Sequence, residues 1–264
     1  MKTDIVPGFN GKIFDALKVK VSTFGVTEKV CALAFDEMAV KEFVQYNAAC
    51  DKIEGFEDFG EDGTTSYVAN HALVFMIRGL QTKWKQPIGY FLSSGPVQHE
   101  KLQLLLNKCL HKLNECGLVV KAIICDQGSN NRAIFKTVTA EKPYITLNGS
   151  KIFVFYDPPH LLKNIRNNLK RHGFIMNEAK VDCGYIQQLY DFDVSLPVRM
   201  VPKLSAKHLD LPPFASMRVN LAAEVLSHSV AAALTTLVHL GHFSSDASNT
   251  ALFIEQFDQL FNAF

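Results

Sequence analysis

The apolar and polar positions fall into blocks whose spacing changes along the chain. VCALAFDEM, residues 30–38, is dense in apolar side chains and predicts a buried strand. EFVQYNAAC, residues 42–50, reads as its antiparallel partner, and the acidic, glycine-rich GFEDFGEDGTTS of residues 55–66 reads as a loop. HALVFMIRGL (71–80) and QPIGYFLSS (86–94) predict two further strands, with KWKQ as the turn between them. Over residues 97–116 the apolar positions Leu102, Leu105, Leu106, Cys109, Leu110, Leu113 and Cys116 recur with helical spacing. Gly117 closes that helix. LVVKAIICD (118–126) predicts a buried strand ending in an acid, and SNNRAIFKTV (129–138) a short helix with a polar start. ITLNGSKIFVFYD (145–157) reads as a hairpin turning at Asn148-Gly149.

Beyond residue 172 the pattern is different. GFIMNEAKVDCGYIQQLYDFDVSL shows no strong strand signal, and RVNLAAEVLSHSVAAALTTLVHL (218–240) is rich in Ala and Leu and predicts helix. In 251–264, Phe253, Ile254, Phe257, Leu260, Phe261 and Phe264 share one helical face. The expectation is an α/β domain over residues 1–172, a mixed sheet with helices, followed by a mainly α-helical domain over residues 173–264. The last helix stops on an apolar face with no cap, the pattern expected of an incomplete domain.

Composition adds limits. The chain has 264 residues, 48% apolar and 20% charged, enough for a sizeable core. Net charge is +1, so any nucleic-acid binding must come from a local patch. The apolar stretches are interrupted by Lys, Asp or His before the roughly 18–20 residues of a membrane span. The start, MKTDIVPGFNGKIFDALK, has no long apolar leader segment. Six cysteines are scattered without a CxxC pair, which predicts reduced, buried thiols in place of a zinc site.

Candidate chemistry sits at strand ends. In a ribonuclease-H-like sheet, three antiparallel strands precede a helix, and a fourth strand then lies parallel to the first. That topology sets Asp36, on the first strand, beside Asp126, at the end of the fourth. Two such carboxylates can hold a pair of Mg²⁺ ions about 4 Å apart, with water and phosphate oxygens completing the shells. The alternative is that each Asp serves only as a turn former or helix cap. Glu37 points to the opposite sheet face, toward solvent or as support for Asp36. The strand at residues 152–156 runs into Asp157-Pro158-Pro159-His160, where the prolines end the ladder and open a helix. Asp157 and His160 would form the site edge; the alternative for His160 is a helix-start residue bonded to backbone. Lys163, Arg166 and Lys170 follow with helical spacing, either as a DNA-backbone contact or as a solvated face.

FDEM with VQYN and GFEDFG, then CDQGSNNR, then DPPHLLKNIRNN, resemble the P-element transposase family, which includes the THAP-domain transposase-derived proteins of animals. The resemblance runs over nearly the whole chain. PKLSAKHLDLPPFASMRVNLAAEVLSHSVAAAL resembles that family's GTP-binding insertion domain, which interrupts the ribonuclease-H-like fold. It implies metal-dependent cleavage and joining of DNA by an acidic triad, with Mg²⁺ or Mn²⁺ held by Asp36 and Asp126. It also implies a third acid, a Glu, expected beyond Phe264, and a zinc finger whose ligand pattern is absent from these residues. Lys203 and Val219 would then contact guanine nucleotide, with Phe261 packing on the base. The alternative for Phe261 is core packing. There is no GxxxxGK[ST] motif, and the family's FDxLN reads Phe261-Asn262-Ala263-Phe264 here. Asn262 cannot accept two charge-assisted bonds from a guanine edge as a carboxylate can. The functional expectation is a DNA transposase core acting on transposon ends, in the nucleus, with GTP as a second ligand. A non-catalytic DNA- or protein-binding regulator and a GTP-responsive assembly module are the rivals. A homo-oligomer stays open, and no membrane partner is expected.

Overall fold

The computed structural model describes residues 6–48, 51–147, 149–212 and 215–263. They form two compact units that divide between Tyr156 and Asp157. The division falls earlier than residue 172, because the helix at Pro158–His172 buries Leu162 and Leu169 in the second unit's core.

In chain order the first unit contains α1 (Gly11–Ser22), β1 (Val30–Ala39), β2 (Gln45–Asn47), β3 (Lys52–Glu54), β4 (Phe56–Asp58), β5 (Thr64–Val68), β6 (His71–Gly79) and β7 (Lys85–Ser93). It continues with α2 (His99–Glu115), β8 (Val119–Cys125), α3 (Ser129–Ile134), β9 (Tyr144–Leu147) and β10 (Ser150–Tyr156). The main sheet has the order β5-β4-β7-β6-β1-β8-β10-β9. β6 lies antiparallel between β1 and β7, whereas β8 lies parallel to β1 and β10 parallel to β8. This is the ribonuclease-H-like arrangement: an antiparallel triplet, a crossover helix, then parallel strands.

Alternation along the strands decides what is buried. Cys31, Leu33 and Phe35 of β1 and Leu73, Phe75 and Ile77 of β6 face the core. α2 covers that face with Leu102, Leu105, Leu106, Cys109, Leu110 and Leu113. Leu118 N–H donates to the Leu113 carbonyl and Gly117, at φ 81°, supplies the left-handed residue this ending needs. α1 adds Phe14, Leu17 and Val21 to the same core. The side chain of Asn10 accepts from Lys12 N–H and caps α1.

Several expectations are corrected. The partner of β1 is β6; β2 pairs only with β3, as a separate two-stranded ribbon. Gly55, between β3 and β4, takes φ 108°. The segment read as a loop contains β4 and β5, which extend the sheet edge through the Asp58–Leu92 pair. The hairpin of β9 and β10 pairs Leu147 with Ser150; Asn148 lies outside the described residues, and Gly149 takes φ 77°.

The second unit contains α4 (Pro158–His172), β11 (Phe174–Met176), β12 (Ala179–Val181), α5 (Gly184–Val194), α6 (Ala206–Leu209), α7 (Val219–Val225), α8 (His228–His239) and α9 (Ala247–Asn262). The β11–β12 hairpin, with no strong strand signal in sequence, is turned by Asn177 and Glu178, both at positive φ. The 218–240 segment breaks into α7 and α8 because Leu226 and Ser227 leave helical dihedrals. Val219–His239 does reach membrane-span length at mean hydropathy 1.5, contrary to the expectation that no segment would. Here that apolarity forms the core: Leu221, Ala222, Val225, Val230, Leu234 and Leu237 are buried. Phe253 and Ile254 of α9 join them, whereas Leu260 is exposed and Phe264 lies outside the described residues.

Candidate active site of the ribonuclease-H-like unit

The β1–β8 register pairs Leu33 with Ile123 and Ala34 with Ile124. Continued by two residues, it sets Asp36 against Asp126. Asp36 is exposed and Asp126 half-buried. Cys125 reports both charges: its thiol is pushed up to about 12, by burial first and then by Asp126 and Asp36. Asp36 Oδ1 accepts from the Glu37 N–H at 2.9 Å. Asp126 Oδ1 accepts from Gly128 N–H at 2.9 Å and Asn131 Nδ2 at 2.6 Å. The same Asn131 amide also reaches the Asp126 carbonyl at 3.3 Å. A Cβ at Gly128 would stand 3.0 Å from Asp126 Oδ1, so only glycine fits there comfortably. Gly128 and Asn131 are thus the residues that hold Asp126 in place; CDQGSNNR contains them, but the reading as capping chemistry hid that role.

Among the described residues, no Lys, Arg or His forms an ion pair with Asp36 or Asp126. No group of three or more His, Cys, Asp or Glu side chains converges into a complete metal site among them either. The donor set fits a hard divalent cation in part: two carboxylates without basic partners, leaving the other positions to water and phosphate oxygens.

Glu37 does point to the opposite face from Asp36. It is not simply solvated, because its Oε1 accepts from Val97 N–H at 2.9 Å and from the Ser93 hydroxyl at 3.5 Å. It thereby ties β1 to the β7–α2 connection, beside a cavity of about 270 Å³ that Asp126 and Asn131 also line.

The remaining candidates belong to the second unit. Asp157 caps α4: its Oδ2 accepts from His160 N–H at 3.1 Å and lies 2.7 Å from His160 Nδ1. The two residues therefore engage each other. Lys163 is half-buried, and Lys170 is exposed with its ammonium on the Leu209 carbonyl. Arg166 corrects the expected DNA-facing row. It is only 2% exposed, because it shares the buried face of α4 with Leu162 and Leu169. Its Nε donates to Asn167 Oδ1 at 2.8 Å and its Nη2 to the Ser216 carbonyl at 3.0 Å, whereas buried Nη1 finds no acceptor. Burial pulls the guanidinium below its usual range. Arg166 clamps the turn at Ala215–Met217 that leads into α7.

Of the nucleotide candidates, Lys203 is exposed ahead of α6, and Val219 opens α7. Val219 and Phe261 both pack against the second core. Asn262 Nδ2 donates to Asp258 at 3.0 Å.

A ribonuclease-H-like sheet with acids at the ends of neighbouring parallel strands, followed by a mainly helical unit, defines the fold class. Residues 5–139 match the family model described as TNP-like, RNase H N-terminal domain, and residues 159–264 match TNP-like, GTP-binding insertion domain. The chain belongs to this P-element transposase family. It is 27% identical over 242 residues to the Transposable element P transposase of Drosophila melanogaster, covering 90% of this chain and 30% of that protein. It is 27% identical over 256 residues to the human DNA transposase THAP9, covering 89% of this chain and 27% of that protein. The solved Drosophila P element transposase strand transfer complex aligns with TM-score 0.83 and 26% identity, over 98% of this chain and 56% of that one. The chain thus spans less than a third of the curated relatives' length.

Proposed function

We propose that this chain is the DNA-handling core of a DNA transposase that works in the nucleus. The observation that carries the reading is the parallel β1–β8 register, Ala34 with Ile124, which continued by two residues brings Asp36 level with Asp126, neither with a basic partner among the described residues. Those carboxylates would hold Mg²⁺ or Mn²⁺. A bound divalent ion would supply activation of the attacking oxygen and stabilisation of the leaving oxygen. Asn131 and Gly128 fix the orientation of Asp126, and Glu37 anchors the strand that presents Asp36. The second unit is read as a nucleotide-binding module for GTP, with Lys203, Val219 and Phe261 as its candidate contacts.

Mn²⁺ titration followed by electron paramagnetic resonance tests the metal assignment. Asp36→Asn and Asp126→Asn are each expected to weaken Mn²⁺ binding about tenfold or more, a loss of roughly 1.4 kcal/mol. Unchanged affinity in both variants would refute it. DNA contact has a separate test, the slope of log affinity for duplex DNA against log salt. Removing one phosphate-contacting lysine, as in Lys163→Ala, should reduce that slope by about 0.9. Arg166→Met should leave the slope unchanged, because the guanidinium is spent inside the fold. A slope that drops for Arg166→Met would return Arg166 to the DNA surface.

A further inference from the structure

The cavity of about 270 Å³ beside Asp126 is the strongest feature that the proposed chemistry leaves unused. Its floor is apolar, made by Phe35 and Leu73 of the core, and its walls carry Glu37, His71, Asp126 and Asn130. Exposed Ala39 stands at its mouth. The volume is just below the roughly 300 Å³ at which sites for drug-sized ligands begin, so there is room for one small heterocycle and not for a base pair. An apolar floor with a few placed polar groups is the pattern of a small-ligand site.

The polar walls are held in place, and what they leave free are acceptors. Asn70 Oδ1 accepts from the Gly95 N–H at 2.7 Å, and Asn70 Nδ2 donates to Glu42 Oε1 at 3.2 Å. These bonds assign the amide, so His71 Nδ1, 2.7 Å from the same Asn70 oxygen, carries the proton. The neutral ring therefore keeps its lone pair on Nε2, which has no hydrogen-bond partner among the described residues. Glu37 is fixed through Oε1 by the Val97 N–H and the Ser93 hydroxyl, which leaves Oε2 to accept. Glu37 pairs with Leu73 and Ala39 with His71 across β1 and β6, so Glu37 and His71 are diagonal neighbours on one sheet face, close enough to meet a single donor group. The carboxylates of Glu37 and Asp126 disfavour a phosphate inside the cavity and favour N–H donors.

We infer that the cavity receives one unpaired nucleobase of the amino-bearing kind, adenine, cytosine or guanine, from the strand whose phosphate the Asp126 site engages. The exocyclic amino group donates its two hydrogens to Glu37 Oε2 and His71 Nε2, and the ring lies on the apolar floor. Thymine has carbonyl oxygens and no amino group, so the same acceptors reject it. The base must leave its stack to enter, so unpaired ends bind better than paired ones. This site presupposes the reading of the first unit as a DNA-handling core, and it adds which part of the strand is held and by which groups.

Fluorescence anisotropy of the whole chain with short DNA duplexes tests it. The duplexes are blunt or carry one unpaired adenine, cytosine or thymine, at the 3′ or the 5′ end. Unpaired adenine or cytosine, in at least one of the two polarities, should tighten binding about tenfold over the blunt duplex, and thymine should not. His71→Ala should abolish that preference and leave the slope of log affinity against log salt unchanged, because no phosphate contact is lost. If His71→Ala lowers the melting temperature, Ala39→Trp, at an exposed position, closes the mouth and serves instead. Lys163→Ala should lower the slope and keep the preference. A chain that binds blunt and unpaired ends equally overturns the inference and leaves DNA handling standing, whereas no binding to any duplex overturns both. A preference shared by thymine, a preference that survives His71→Ala and Ala39→Trp, or a slope that falls with His71→Ala also overturns it.

Discussion

Asp193→Ala is expected to destabilise the second unit by about 2–3 kcal/mol, because it removes a buried carboxylate that accepts from Arg199 and two backbone N–H groups. Asp193 is fully buried at the end of α5. Its carboxylate receives Arg199 Nε at 2.9 Å and the Met200 N–H at 2.5 Å, with Val201 N–H at 3.4 Å. Arg199 Nη2 also donates to the Val201 and Leu204 carbonyls, so the Asp193–Arg199 pair organises the connection from α5 toward α6. Alanine leaves the Met200 and Val201 N–H groups without their acceptor, and leaves the Arg199 guanidinium, 29% exposed, with only its two carbonyl partners. The loss is a large fraction of the stability of a small domain. Urea unfolding followed by far-ultraviolet circular dichroism should show a lower midpoint with little change in slope for the helical transition. Asp193→Asn keeps one acceptor and should lose less. Equal midpoints for wild type and Asp193→Ala would show that the loop is held by something else.

Phe75→Ala is the second large effect, about 3–5 kcal/mol from the first unit. Phe75 is fully buried at the centre of β6. Its ring lies 5.4 Å from both Phe9 and Phe35 and 5.9 Å from Phe91. Truncation opens a cavity among rings contributed by two neighbouring strands and the segment before α1, and those cannot all collapse into it. Trp84, the single tryptophan, packs against Phe24 beside this core and serves as the fluorescence reporter. Because Phe35 is the residue before Asp36, the same variant should also weaken Mn²⁺ binding. Full retention of both the Trp84 midpoint and metal affinity would contradict the core assigned to β6.

The elements with unbroken periodicity were legible from sequence. α2 repeats its leucines over four turns, and β1, β6, β7 and β8 are apolar runs buried on at least one face, so local pattern and tertiary burial agree. Short or mixed elements were not. α1 interleaves Val19, Lys18 and Lys20 with its buried positions, and its signal, the Asn10 cap, is local and small. β4 and β5 are short, polar strands that pair with each other, and they join the sheet only through the distant Asp58–Leu92 pair. Arg166 shows the limit most plainly. Lys163, Arg166 and Lys170 share helical spacing, but which arc of α4 is buried depends on α7 and the Ala215–Met217 turn, not on α4 itself.

What the amino-acid sequence determined by itself was the class of sheet, the acids at strand ends, and the motifs DPPHLLKN and CDQGSNNR, because these depend on residue identity and short spacing. Tertiary structure alone decided that β1 pairs with β6, that Asn131 and Gly128 hold Asp126, that Glu37 braces the β7–α2 connection, and that Arg166 turns inward. The contacts of β6, Glu37 and Arg166 join residues far apart in the chain, and no local pattern encodes which face will meet which; Gly128 and Asn131 lie within five residues of Asp126, and there it is the conformation of the turn that the structure supplies.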